Sequence, residues 1–287
     1  MLMIIADAVR SSDALDTKPS RFVSIMFIGD IVGRPGRRAV AQKLDSWAAK
    51  YRPELIIANV ENAAGGSGLT IDAYKELDDA GVDVFTSGNH IWAKKDVFKL
   101  FGSGKRLVRP ANFPKRTPGS GCGVFRGRTG HEIGVINLMG RVFMDPHLLA
   151  GSPFDSVETA LAEVGRRTHV SIVDFHAEAT SEKQAMGWYL NGRVSAVIGT
   201  HTHVQTADEK VLPGGTAYIS DAGMTGPTDS VIGMSKKIII EKLLTGVSRR
   251  YEVARAGEVE MNGVLVKVRY SNGRALSIER LQEVWQL

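Results

Sequence analysis

Five short segments of this chain each end a hydrophobic run in metal-binding side chains. FIGD ends at Asp30, NVEN closes on Glu61 and Asn62, and TSGNH closes on Asn89 and His90. VDFH ends at His176, and VIGTHTH carries His201 and His203. Runs of this kind read as buried strands, so the polar endings lie at the strands' carboxyl ends. In α/β sheets that edge is where ligands and metals sit. Seven or eight oxygen and nitrogen donors on one edge are too many for a single tetrahedral zinc. They suit a two-metal site, of the kind that clamps and polarises a phosphoryl group.

Taken singly, these residues have plainer readings. Asp30 is as good a cap or turn residue as it is a ligand. A lone histidine at position 90, after Gly88 and Asn89, is a common helix cap. His201 and His203 are two apart and point the same way if their strand continues, and alone they are an ordinary edge pair. Glu61-Asn62 is less ordinary, because Gly65 and Gly66 follow closely and let the backbone approach a ligand. Five such segments together resist a structural explanation, since isolated buried polar groups are costly. His131 and His169 precede strands and are expected to face solvent. His147, in a loop after Pro146, is a weaker candidate for the site.

Composition sets the bounds. The 287 residues are 43% apolar, enough for a sizeable core, and no apolar run approaches the ~20 residues of a membrane helix. Residues 1–20 lack the pattern of a secretory signal and read as a disordered N-terminal extension. Residues 21–287 read as a single domain. The lone cysteine, Cys122 in GSGCGVF, fits a reducing cytoplasm and a small buried filler. A net charge of +5 and a pI near 9.3 favour anionic partners. The basic runs around Arg34, Arg37 and Arg38, around Arg106 and Arg109, and at Arg249 and Arg250 lack interleaved aromatics. They read mostly as solvated surface. RNA stays open as a partner, a membrane does not, and a homo-oligomer is neither required nor excluded.

Strand and helix signals alternate along the chain. Strands are expected at 22–29, 55–60, 82–87, 170–175 and 194–199. Val40, Leu44, Trp47 and Tyr51 recur at helical spacing after Pro35, and Pro53 closes that helix. Thr70 is a good N-cap for a helix carrying Ile71, Tyr74 and Leu77. A short helix is expected to end near Phe101. GCGVF and EIGVINLMG read as short strands. Asp155 with Glu158, and Ser181 with Gln184, read as capping pairs for two later helices. GVLVKVRY and RALSIERL pair across an Asn272-Gly273 hairpin turn. The glycine-rich stretches Gly65–Gly68 and Gly223–Gly226 read as pocket rims, the second equally as a tight turn.

The strings GD, EN, GNH, FH and GTHTH, in this order and on these strands, resemble the calcineurin-like metallophosphoesterases. More narrowly, FIGDIVGRPGR, NVENAAGGSGLT, SGNHIW, RPANFP, DFHAEATSEK and GTHTHVQTAD resemble the YmdB-like bacterial phosphodiesterases. The resemblance spans residue 22 to the C-terminus. It implies an α/β fold with a central β-sandwich flanked by helices. The wider superfamily opens with an Asp-x-His pair, where this chain has Val32, and bridges its metals with an Asp, where it has Glu61. Both departures belong to the YmdB-like branch. Carried over residue by residue, one metal takes Asp30, Glu61, Asn62 and His203, and the other takes Glu61, Asn89, His176 and His201. His90 matches the general acid. Iron or manganese, with zinc as a third option, and small cyclic-nucleotide phosphodiesters as substrates are what the resemblance implies. Phosphomonoesters, RNA ends, or a regulatory RNA-associated role with a structural metal site are the alternatives.

Overall fold

A computed structural model describes residues 21–255 and 257–287, and the extension expected over 1–20 lies outside the described residues. The strands are β1 (Phe22–Ile28), β2 (Asp30–Ile31), β3 (Leu55–Asn59), β4 (Val84–Thr86), β5 (Cys122–Arg126), β6 (Glu132–Met139) and β7 (Ser171–His176). They continue with β8 (Ala196–Thr200), β9 (Lys210–Val211), β10 (Ala217–Ile219), β11 (Met224–Pro227), β12 (Glu258–Arg269) and β13 (Ala275–Gln286). The helices are α1 (Gly33–Tyr51), α2 (Ile71–Asp79), α3 (Asp96–Phe101), α4 (Pro153–Val164), α5 (Thr180–Tyr189) and α6 (Lys236–Thr245).

The layering follows from strands that are apolar on both faces. In β1, Ile25 and Phe27 join one core while Met26 and Ile28 join another. β3 divides in the same way, Leu55 and Ile57 from Ile56 and Ala58. Successive side chains leave a strand on opposite sides, so such a strand needs cover on both. The inner core lies between two sheets, where Ile25, Phe27 and Ile57 meet Val135, Ile172 and Ile198. The outer face of the first sheet is covered by Val40, Leu44 and Trp47 of α1 and Tyr74 and Leu77 of α2. On the second sheet, Val157 and Ala160 of α4 and Met186 of α5 cover Val173, Phe175 and Val197. The result is an α/β fold, a β-sandwich between helical layers.

The first sheet has seven strands in the order β2-β11-β12-β1-β3-β4, with β13 on the far edge of β12. The second has six, β5-β6-β7-β8-β10-β9. β1, β3 and β4 run parallel, as do β6, β7, β8 and β10, so each group delivers its carboxyl ends to one edge.

Several local expectations change. The cap of α4 is Ser152, whose hydroxyl accepts from the Asp155 amide with Pro153 next to it, and Glu158 instead pairs with Arg193. The cap position of α5 is Ala179, with no side-chain bond, so Ser181 and Gln184 do not start it. Gly223–Gly226 is not a tight turn, because residues 224–227 form β11 inside the first sheet, and Met224 lines a cleft beside His203. His131 does not face solvent. It is 3% exposed, with Nδ1 2.8 Å from Thr129 Oγ1 and its ring edge-on to Tyr270. Arg109 is also buried, spending its guanidinium on the carbonyls of Pro110, Thr117 and Pro118. Cys122 is buried as expected. No helix among the described residues is long and apolar enough to cross a membrane.

Candidate active site

The polar strand endings meet where the carboxyl ends of β1, β3 and β4 face those of β7 and β8. Glu61, from the first sheet, meets His176 and His201, from the second, with ligand-type atoms all within 4.8 Å of one another. His176 Nε2 is the centre of this group. It lies 3.1 Å from Glu61 Oε1, 2.9 Å from Asn89 Oδ1 and 3.0 Å from His201 Nδ1. The approach depends on Gly88, where a Cβ would stand 2.3 Å from Glu61 Oε2 and from the His176 ring.

A second group lies around Asp30 and His203. His203 Nε2 is 3.8 Å from Asp30 Oδ1 and 3.1 Å from Asn62 Nδ2. Asn62 Nδ2 also donates to Glu61 Oε1 at 3.2 Å, so Glu61 borders both groups. Asp30 Oδ2 accepts from the His201 amide at 3.1 Å, but Asp30 Oδ1 is buried with no hydrogen-bond partner. A buried carboxylate oxygen left alone is expensive. Together with carboxylate, amide and imidazole donors of this kind, it fits a divalent transition metal better than calcium.

Each imidazole is held by its outer nitrogen. His203 Nδ1 donates to the Ile232 carbonyl at 2.9 Å. His176 Nδ1 sits 2.9 Å from Thr200 Oγ1, whose own proton goes to Asp174 Oδ1 at 2.7 Å. His201 Nε2 pairs with Glu178 at 3.1 Å. With the outer nitrogens as donors, the inner nitrogens of all three rings face the cluster and, once deprotonated, can offer it lone pairs, an arrangement typical of metal-ligating histidines.

His201 and His203 do not point the same way. β8 stops at Thr200, and both histidines take left-handed backbone angles, φ 97 and φ 66. The kink aims His201 at His176 and His203 at Asp30 and Asn62. Non-glycine residues rarely adopt this conformation, and it clusters at functional sites.

His90 stands apart from the enclosed residues. Its amide donates to Glu61 Oε2 at 2.9 Å, its ring Nδ1 lies 2.9 Å from Asn62 Oδ1, and its side chain is 44% exposed. His147 is exposed in its loop, and no contact joins it to the cluster.

The charges follow from burial and proximity. Burial works against ionising Glu61, yet His176 and the His90 amide outweigh it and hold the carboxyl well below the usual range. Burial also opposes protonating His176, but Glu61, Asp30 and Asp174 push it up to about 9. Burial and then the neighbouring His176 push His201 down to about 3. Burial raises Asp30 despite His203 and His176.

The supporting layer escaped the sequence reading. Asp174, pushed up to about 7 by burial, accepts from Thr200 and from Asn59 Nδ2 at 3.0 Å, tying the two sheets together beneath the cluster. Asn59 and Asp174 each precede a cluster residue by two positions inside an apolar strand. That spacing places them on the same face and was a usable signal. Lys183, Asp221 and Glu178 carried no such signal.

Comparison with known proteins gives this site its family. Residues 26–281 match the family model described as YmdB-like protein. Over 257 residues the chain is 48% identical to the 2′,3′-cyclic-nucleotide 2′-phosphodiesterase of Bacillus subtilis, covering 90% of this chain and 96% of that protein. A phosphatase from Mycoplasma pneumoniae of known structure superposes with a TM-score of 0.85 at 35% identity, covering 92% of this chain and 94% of the other. A hypothetical protein from Thermus thermophilus gives a TM-score of 0.83 at 40% identity, covering 92% and 99%. By sequence and by fold, the chain belongs to the YmdB-like family of metallophosphoesterase type.

Proposed function

We propose that the chain hydrolyses small phosphodiesters, foremost 2′,3′- or 3′,5′-cyclic nucleotides, using two divalent transition-metal ions, iron or manganese before zinc. Asp30, Glu61, Asn62 and His203 would hold one ion, and Glu61, Asn89, His176 and His201 the other. The observation that carries this reading is that Glu61 borders two groups of inward-facing donors, one of them containing the unpartnered Asp30 Oδ1. Asn62 joins as an oxygen ligand once its amide turns over, which exchanges O and N in place. When bound, such ions acidify an attacking water and neutralise charge on the phosphoryl oxygens.

The chain's own groups do the rest. His90 is anchored through its backbone amide to Glu61 Oε2 and has ring Nδ1 on the Asn62 side, so Nε2 is the nitrogen that would hand a proton to the leaving oxygen. Its exposure suits a group that must meet substrate and then exchange its proton with solvent. General acid catalysis of this kind contributes roughly 10²–10⁴-fold. The outer anchors at Ile232, Thr200 and Glu178 fix the three imidazole rings and spare them reorganisation.

The test combines elemental analysis with a substrate panel at matched metal loading. Cyclic AMP and bis-nitrophenyl phosphate should exceed AMP and nitrophenyl phosphate in kcat/KM. A tenfold preference for the monoesters would favour the phosphatase reading instead, which is the activity named for the Mycoplasma relative.

A further inference from the structure

A cleft of about 300 Å³ opens beside His203, between the turn that carries that histidine and the ends of β12 and β13. Its size is at the lower bound of small-molecule sites, roughly 300–1,000 Å³. Glu260, Asn262 and Gln282 line it, and Asn262 pairs with Gln282 across the two strands. Asn262 is 1% exposed, and its Oδ1 has no hydrogen-bond partner although its Nδ2 donates to Met224 O and Glu260 Oε2. The guanidinium in the wall, Arg280, is already engaged by Glu209 at 3.0 Å. The cleft therefore offers the acceptors of Glu260, Asn262 and Gln282, and its arginine already faces a carboxylate through Nε.

Acceptors of this kind repel phosphate oxygens and attract N–H and O–H donors. Val204 and Ile232, 63% and 48% exposed, add apolar surface to the same wall. Ile232 holds φ 49, a costly conformation for a β-branched residue, and its carbonyl is the one that anchors His203. The strained residue thus belongs both to the cleft and to the cluster.

Building on the phosphodiesterase reading, we infer that this cleft binds the nucleoside portion of the substrate. The phosphoryl group lies at His203, Glu260 and Gln282 accept from the amino, ring N–H or ribose hydroxyl donors, and Val204 and Ile232 cover the ring. The chain thereby distinguishes nucleotide esters from simple ones through residues outside the metal cluster.

Glu260→Ala and Gln282→Ala test this in the metal-loaded full chain. Each should lower kcat/KM for 2′,3′-cyclic AMP about tenfold, through KM, the cost of one lost hydrogen bond. Turnover of bis-nitrophenyl phosphate, which has neither base nor ribose, and metal content should stay unchanged. Unaltered cyclic AMP kinetics, or equal losses on both esters, would overturn the inference. Broadening of adenosine proton resonances by the wild type, reduced by Gln282→Ala, supplies a readout without turnover. Absence of adenosine binding to the wild type also overturns it. A wild type that hydrolyses neither ester would defeat the phosphodiesterase reading alone, and the adenosine measurement would still decide the cleft.

Discussion

The ammonium of Lys183 lies 2.8 Å from the carboxylate of Asp221, and both side chains are almost wholly excluded from water. The same carboxylate oxygen accepts from the amide and hydroxyl of Thr202, at 3.0 and 2.6 Å. Thr202 is the residue between the two kinked histidines, so the ion pair grips the middle of the turn that divides them.

Breaking that pair from one side should therefore be severe. Lys183→Met strands a buried carboxylate and is expected to cost about 3–5 kcal/mol in urea unfolding. Lys183→Met with Asp221→Asn removes both charges while keeping an oxygen for Thr202, and should cost less than the single change. A single variant as stable as the wild type would show that water already reaches Asp221.

Glu61 borders both donor groups, whereas Asn62 serves one. Elemental analysis of anaerobically purified protein should give close to two equivalents of transition metal. Glu61→Ala should reduce both and Asn62→Ala mainly one. A fully active protein with one tightly held equivalent would defeat the dinuclear reading.

His90→Ala should keep its metals and lose ~10²-fold or more in turnover on esters with poor leaving groups. The loss should shrink for nitrophenyl esters, whose leaving group needs little protonation. Equal losses on both would make His90 a positioning residue, and loss of metal would make it a ligand.

The thiol of Cys122 gives a pH prediction independent of the cluster. Burial, and then the Glu163 carboxylate, push it up to about 12. The unfolded thiol ionises near pH 8.5, so between those values the folded chain holds a proton that the unfolded chain has lost. That difference favours unfolding, and its contribution erodes stability as pH rises from about 8.5 towards 12. Cys122→Ala should flatten the alkaline arm of a Tm-against-pH profile. Since the thiolate is the nucleophile, Cys122 should resist iodoacetamide at pH 8 until denaturant is added.

The convergence of the polar strand endings was legible because such residues interrupt apolar strands at their ends, where nothing local explains them. The direction of His203 was not, because it depends on β8 ending at Thr200 and on two left-handed residues held by a partner some twenty positions away. The hairpin of β12 and β13 extends beyond the apolar run that marked it, into a stretch where the polar Glu260 and Asn262 line the cleft. β9 and β10 were missed for brevity, at 2 and 3 residues. His131 was misjudged because its partners, Thr129, Glu54 and Tyr270, converge only in the folded chain.

The inner core of the sandwich holds its two sheets together through apolar contact, which any pair of greasy surfaces can supply. The cluster at the edge is different, because Glu61 comes from one sheet and His176 and His201 from the other. A cation gripped there would act as a reversible staple across a span of more than a hundred residues, and its strength would vary with the free metal concentration. How firmly the two halves of the molecule are joined is then partly a property of the medium: a cell starved of metal would carry the same polypeptide as a looser object.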